Sequence, residues 1–253
     1  MANFRETAAS RARDDGEKLL ARRLCDLSER ADRIGVMTST GFLTPAEQDF
    51  ARIIEHLLPC PLTLDGGFDG AERCVARFGE CGERPVAGLA IAHRTPLGHR
   101  DLLGAALGLG LERSVVGDII AGDASSRMVV LRSQLDFFLQ SFDKAGRVPL
   151  EVSELSLDEF QPPERRVERV VLSLASMRLD ALVAAAWGLS REDAQTEIAR
   201  GMVQQNHRPQ LEPSRRIAEG DTISLRGKGK LTVGAALGVT RRERLRIEVE
   251  KYI

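Results

Sequence analysis

The chain has 253 residues, of which 43% are hydrophobic and 29% charged, with a formal net charge of −1. That length supports two or three compact domains with a well-buried core, and the composition is ordinary for a soluble globular protein. The overall charge gives no reason to expect nucleic acid, but it conceals an asymmetry. From Met177 onward there are 14 Lys and Arg against 10 Asp and Glu, a net of +4, whereas residues 1 to 176 carry 22 against 27, a net of −5. Any polyanion is therefore expected on the C-terminal part.

Apolar runs such as Val86 to Ala92 are far short of the roughly 20 residues a membrane-spanning helix needs. The polar, charged N-terminus lacks the apolar core of a signal peptide. Cys25, Cys60, Cys74 and Cys81 form no C-x-x-C pair and have no His at finger spacing. Pro59 interrupts the helix that would align His56 with Cys60. Reduced cytosolic thiols are expected, with no metal and no cofactor.

Residues 3 to 35 carry Leu19, Leu20, Leu24, Leu27 and Ile34 at helical intervals, which predicts one or two amphipathic helices. Arg11, Arg13, Arg22 and Arg23 lie among Asp14, Asp15, Glu17 and Asp26, so a solvated, ion-paired face is expected there rather than an RNA surface. Thr44-Pro45-Ala46-Glu47 opens the next helix with a Thr cap, Pro at the first helical position and Glu at the third. Ala51, Ile54, Leu57 and Leu58 supply its buried face, and Pro59 with Pro61 stop it. Residues 1–60 are expected to form a small helical domain.

The composition then shifts toward strands, at residues 62 to 64, 74 to 78 and 85 to 92, around a loop reading Asp65-Gly66-Gly67-Phe68-Asp69-Gly70. The loop lacks the Lys-Ser/Thr of a P-loop and the spacing of a dinucleotide fingerprint, so no small-molecule substrate is expected. His99-Arg100-Asp101 matches a kinase catalytic loop in three letters, without the Asn or D-F-G that should follow. A helix is expected from about residue 100 to 107, with His99 either a hydrogen-bonded structural residue or an RNA contact. A strand at 127 to 131, a helix through Phe137, Phe138, Leu139 and Phe142, and a strand from Val148 complete a central α+β sandwich of the split βαβ kind, residues 61–166. RNA-recognition motifs share that layout but stack bases on strand aromatics. Only Phe78 qualifies here, and the three helical Phe residues read as core, so stacking on this sheet is not expected.

Pro162-Pro163-Glu164-Arg165-Arg166 reads as a linker before a strand at 167 to 174, and residues 245 to 252 alternate as a strand with Ile247 and Val249 on the buried face. Between them, residues 177 to 229 read as two short helices and a small twisted sheet. Leu179, Leu182 and Val183 face inward, Gly188 breaks the first helix, and Ser190 to Asp193 is a capping box for the second, which ends at Gly201. Arg178, Arg191, Arg200, Arg208, Arg215, Arg216, Arg226, Lys228 and Lys230 fall at element ends or in turns. Arg191 sits in the first turn of a helix, where the helix terminus itself favours a phosphate.

The succession RLD, LSR, a Gln four residues on, G-x-V-x-x-N and then EGDTISLRGKGK resembles the RNA-binding module of ribosomal small-subunit protein four, here the S-four module. The resemblance covers roughly the last third of the chain, residues 175–253, and implies binding of structured ribosomal or transfer RNA. The contacting set it implies is Arg178, Ser190, Arg191, Gln195, Arg200, Asn206, Arg226 and Lys228. One departure is His207, where the module usually has a small residue, which puts the tight turn in question.

With the segments GGFDGAER and LGHRDLLGAALGLGLERSVVGDI, the whole chain beyond the first 35 or so residues resembles the bacterial YlmH family, known in photosynthetic organisms as a photosystem-related S-four protein. The resemblance implies a helical N-terminal domain, a central RNA-binding domain and the S-four module. It also implies a cytoplasmic, ribosome-associated protein that binds large subunits carrying obstructed peptidyl-tRNA in quality control. Two rivals stand beside it. Pseudouridine synthases carry S-four modules and an R-L-D motif, but their module precedes a large catalytic domain, so an enzyme is not expected here and Asp180 is assigned to the module's first helix. The other rival is an interaction scaffold, at a division site or photosystem, with an acidic protein partner.

Overall fold

The computed structural model describes residues 4–160, 167–240 and 243–252. The chain divides into two units, Met1–Pro163 and Glu164–Ile253. The expected linker at residues 162 to 166 lies outside the described residues.

The first unit begins with helices α1 (Phe4–Ser10) and α2 (Asp15–Ile34). Asp14 caps α2 by accepting from the Glu17 amide at 2.8 Å, and Gly35, at φ 67°, ends it in the left-handed conformation. The buried stripe is Leu20, Ala21, Leu24, Cys25 and Ala31, while Leu19 and Ile34, expected inside, are exposed. Spacing alone could not separate Leu19 from Leu20, because the small Ala21, Cys25 and Ala31 set where α2 approaches its neighbours closely.

A strand β1 (Thr38–Leu43) follows, then helix α3 (Pro45–Ile54), β2 (Leu62–Asp65) and β3 (Cys74–Phe78). The capping box of α3 forms as expected, with Thr44 and Glu47 exchanging hydrogen bonds. The strands make an antiparallel sheet in the order β1-β3-β2. This corrects the expectation of a purely helical domain ending at residue 60. The segment Thr38-Ser39-Thr40-Gly41-Phe42-Leu43 has no clean alternation, yet Thr40 is buried, with its hydroxyl accepting from the Ala76 amide at 2.9 Å and donating to Gly41 O at 2.7 Å. Residues 62 to 78 therefore belong with the N-terminal helices.

The unit continues with β4 (Val86–Ala92), α4 (His99–Gly108), β5 (Val116–Ile120), β6 (Ser125–Leu131), α5 (Leu135–Ser141), a short separate hairpin of β7 (Lys144–Ala145) and β8 (Val148–Pro149), and β9 (Glu151–Leu155), and β4, β5, β6 and β9 form a four-stranded sheet. Its order is β5-β6-β4-β9 with antiparallel neighbours, the split βαβ arrangement. Leu89, Ile91, Met128, Val130, Leu102 and Phe138 fill the layer between sheet and helices. Phe138 and Phe142 are core and meet edge to face at 5.6 Å, but Phe137 is 40% exposed, against expectation. Phe78 is fully buried in the three-stranded sheet. A smaller cluster of Phe42, Val75, Val86, Val129 and Phe160 joins the two sheets of this unit.

The second unit runs β10 (Val167–Leu174), α6 (Leu179–Trp187), α7 (Arg191–Ala199), β11 (Val203–Gln205), β12 (Arg208–Pro209), β13 (Thr222–Leu225), β14 (Gly229–Val239) and β15 (Leu245–Tyr252). Its sheet is ordered β10-β15-β14-β13-β11-β12. Leu174, Leu179, Leu182, Ile198, Ile223 and Val249 are among the core residues between the two helices and the sheet. Both units mix helix and sheet, so the chain has an α+β fold.

Candidate nucleic-acid interface

Helix α6 is apolar on nearly every side, and Gly188 at φ 66° terminates it, its amide donating to Ala184 O. Ser190 caps α7 by accepting from the Asp193 amide at 3.0 Å, while its hydroxyl donates to the Asp193 carboxylate at 2.7 Å. Helix α7 buries only Ala194 and Ile198, leaving Arg191, Gln195 and Arg200 on its outer side.

The centre of the charged surface is a residue the sequence pointed to only as part of a helix. Asp180, in the first turn of α6, is fully buried. Its carboxylate accepts from Arg178 Nε at 3.2 Å and Nη2 at 3.0 Å, from Arg191 Nη2 at 2.8 Å and from Gln195 Nε2 at 3.1 Å. Arg178 precedes α6, whereas Arg191 and Gln195 stand one turn apart on α7, so a single carboxylate ties the two helices together. Burial alone would raise the Asp180 pKa, but the bonds from Arg178, Gln195 and Arg191 overcome it and hold the carboxyl at about 2. The same bond raises the pKa of Arg178.

Two guanidinium groups on one carboxylate leave a local charge of +1, and the Arg178 and Arg191 side chains remain 42% and 45% exposed. The exposed residues Arg215 and Arg216 are drawn to the same place through the backbone, since the Leu179 amide donates to Arg215 O at 2.9 Å and Arg178 forms a bridge with Arg216.

Arg226 and Lys228 sit at the other end of α6. The Trp187 indole donates to Lys228 O at 3.1 Å, fastening the turn between β13 and β14 to the helix terminus. Lys251 Nζ donates to Ala186 O, a cation at the negative end of the helix. Beside the turn, Arg226, Lys230, Met202 and Tyr252 line an open cleft, with Lys230 Nζ 5.3 Å from the centre of the Tyr252 ring. A nine-residue helix is roughly 13 Å long, so the expected contacts fall into two groups about that far apart.

The remaining expected residues do other work. Arg200 is exposed and lies 3.5 Å from Glu197. Asn206, at φ 51°, and His207, at φ 63°, form the two-residue turn between β11 and β12. The Asn206 amide donates to Asp221 at 2.7 Å and its oxygen accepts from the Thr222 amide at 2.8 Å. Asn206 and Ser190 thus take part in holding the turn and the helix cap, and both remain exposed. The turn that His207 put in question is formed, with both residues left-handed.

In the first unit the segments GGFDGAER and LGHRD to VVGD converge. Asp118 accepts from the amides of Glu72 at 2.6 Å and Arg73 at 3.1 Å, and Arg73 donates to Phe42 O at 2.8 Å. Arg113 donates to the carbonyls of Val116 and Gly117. Burial, with Arg73 nearby, pushes the Arg113 pKa down to about 10, and burial raises that of Asp118. His99 opens α4 and is exposed, its pKa lowered by partial burial and then by Arg113. These motif residues join β1, the loop before β3 and β5.

Fold and site together define a two-unit α+β protein in which a split βαβ sandwich is followed by a small sheet unit bearing a carboxylate-ordered cationic cluster. Residues 93–159 match the family model described as "Putative RNA-binding domain in YlmH". A relative from Bacillus subtilis (strain 168), ribosome-associated protein quality control protein P2, is 30% identical over 224 residues, covering 85% of this chain and 87% of the relative. Cell division protein ylmH from Streptococcus pneumoniae shares the fold, with a TM-score of 0.51 at 16% identity over 60% of this chain and 98% of that one. The chain belongs to the YlmH family.

Proposed function

We propose that this protein binds structured RNA through its C-terminal unit, which we read as an S-four module, and works as a ribosome-associated quality-control factor on large subunits carrying obstructed peptidyl-tRNA. The observation that carries the reading is the Asp180-centred cluster, where two half-exposed guanidinium groups are held on the part of the chain that carries a net charge of +4. The family match, which lies in the first unit at residues 93–159, supports RNA binding by the chain, and the relative's name supports the ribosomal part; the C-terminal placement rests on the cluster and its charge.

Recognition rather than catalysis is the activity we propose. Asp180, the residue a pseudouridine synthase would need as nucleophile, is fully buried and shared between two arginines. Ser126 and His93, which meet at 2.8 Å, are 1% and 5% exposed and serve as an internal tie. An assay of uridine isomerisation in ribosomal RNA should show no turnover.

Co-sedimentation with separated ribosomal subunits, with and without peptidyl-tRNA, followed by crosslink mapping, tests the reading. Pelleting with large subunits and crosslinks at Arg178, Arg191, Arg226 or Lys228 are expected, and pelleting with small subunits alone contradicts it. A salt series separates RNA from an acidic protein partner, because log affinity should fall against log salt by about 0.7–0.9 for each phosphate neutralised.

A further inference from the structure

Asp180 presents a problem in electrostatics. A surface that receives a polyanion gains nothing, by charge alone, from a carboxylate at its centre, yet Asp180 is fully buried and bound by three side chains from two elements. The two arginine Nη2 atoms bind the same Oδ2 at 3.0 and 2.8 Å and so lie within about 6 Å of each other, a separation at which like charges repel. The carboxylate removes that repulsion. It also fixes the plane of the Arg178 guanidinium through two bonds and anchors that of Arg191 through one, each group carrying five N–H donors. Asp180 takes two donors from Arg178 and one from Arg191, and both side chains stay more than two-fifths exposed.

We infer that Arg178 and Arg191 form one preformed clamp for a single backbone phosphate and that Asp180 is its positioning residue. The inference rests on the RNA-binding reading above and names the chemistry of the site: the two non-bridging oxygens of a phosphodiester monoanion gripped by two guanidinium groups whose ordering was completed on folding. Ordering before binding lowers the conformational cost of association, and two long, otherwise mobile side chains gain most from it. Gln195 acts as the third support, holding Oδ2 from the outer side of α7.

The test turns on the sign of one substitution. If charge alone matters, Asp180→Asn removes a negative charge from the cationic face and strengthens RNA binding. If Asp180 positions the clamp, the same change weakens binding by about tenfold or more, the scale of a lost recognition contact. The full chain is titrated against fluorescein-labelled bulk transfer RNA, with thermal unfolding recorded for each variant. In an Arg178→Gln/Arg191→Gln background, Asp180→Asn should cost nothing further, whereas a purely structural role would repeat the full loss there.

Should Asp180→Asn fail to fold, the arginine pair decides alone. A clamp predicts that Arg178→Gln with Arg191→Gln loses little more than the worse single variant, and losses that multiply overturn it. Equal or tighter binding by folded Asp180→Asn overturns the clamp while leaving RNA binding intact. No binding by the unsubstituted chain to transfer RNA or to large subunits removes the underlying reading itself.

Discussion

Gly117→Ala puts the close packing of the first unit to a quantitative test. A Cβ at Gly117 would stand 2.6 Å from Phe42 Cε1 and 2.8 Å from its Cζ, whereas carbon atoms rest at about 3.5–4.0 Å. The ring would have to retreat by roughly 1 Å. It has nowhere to go, since Phe42 is 2% exposed and packed with Val75, Val86, Val129 and Phe160. Overpacking of this kind costs about 1–3 kcal/mol, and replacing a strand glycine returns roughly 0.5–1 kcal/mol through the unfolded chain. Taken at the middle of both ranges the net is a loss of about 1 kcal/mol, or about 2–4 °C in the melting temperature of a unit this size. Calorimetry should find that loss in the first unit, and Phe42→Leu in the same chain should recover part of it as a coupling energy. An unchanged Tm, or a penalty that persists undiminished beside Phe42→Leu, would refute the packing argument.

Other outcomes follow from the same geometry. Thr44→Ala removes the capping box of α3 and should lower stability by about 1 kcal/mol, read from the urea midpoint. Asp180 falls from near 4 in the unfolded chain to about 2 when folded, so its contribution, on the order of 2 kcal/mol, is complete above pH 4 and disappears as the pH falls through 2. Acid titration of the second unit should show that loss, and Asp180→Asn should flatten it. Arg226→Ala, at an exposed turn, should weaken transfer-RNA binding at all salt concentrations and reduce the salt slope by about one phosphate, with Tm unchanged. Trp187, the chain's single Trp, is bonded to the Lys228 carbonyl, so its emission should shift when RNA meets that turn and stay constant if the turn is not used.

What the sequence made legible was what depends on neighbours along the chain. The Ser190 and Thr44 caps, the Gly188 stop and the alternation around Ile247 and Val249 are each decided within a few residues. Strand β1 was not legible, because the burial of Thr40 and the close approach at Gly41 depend on partners more than 30 residues away: the Ala76 amide, and the Ser114 carbonyl that a Cβ on Gly41 would meet at 2.8 Å. The candidate site divides the same way. The cationic residues could be named from the sequence, but the role of Asp180 depends on how α6 crosses α7, and no spacing records that. Asn206 stands out in the sequence for its place in a motif, whereas the use of both ends of its amide at the turn depends on Asp221 and Thr222, some 15 residues away.

The second unit opens and closes on paired strands: β10 and β15 are registered from Val167 against Tyr252 to Leu174 against Leu245. Its two ends therefore emerge side by side from one edge of the sheet. Such a unit is a cassette, one that can be spliced into a loop of another protein without stretching its host, but that cannot be shortened from its tail. A break after Arg244 removes β15, leaving β10 unzipped and β14 without its longest partner, so the helices carrying Asp180 and Arg191 would lose the sheet they rest on.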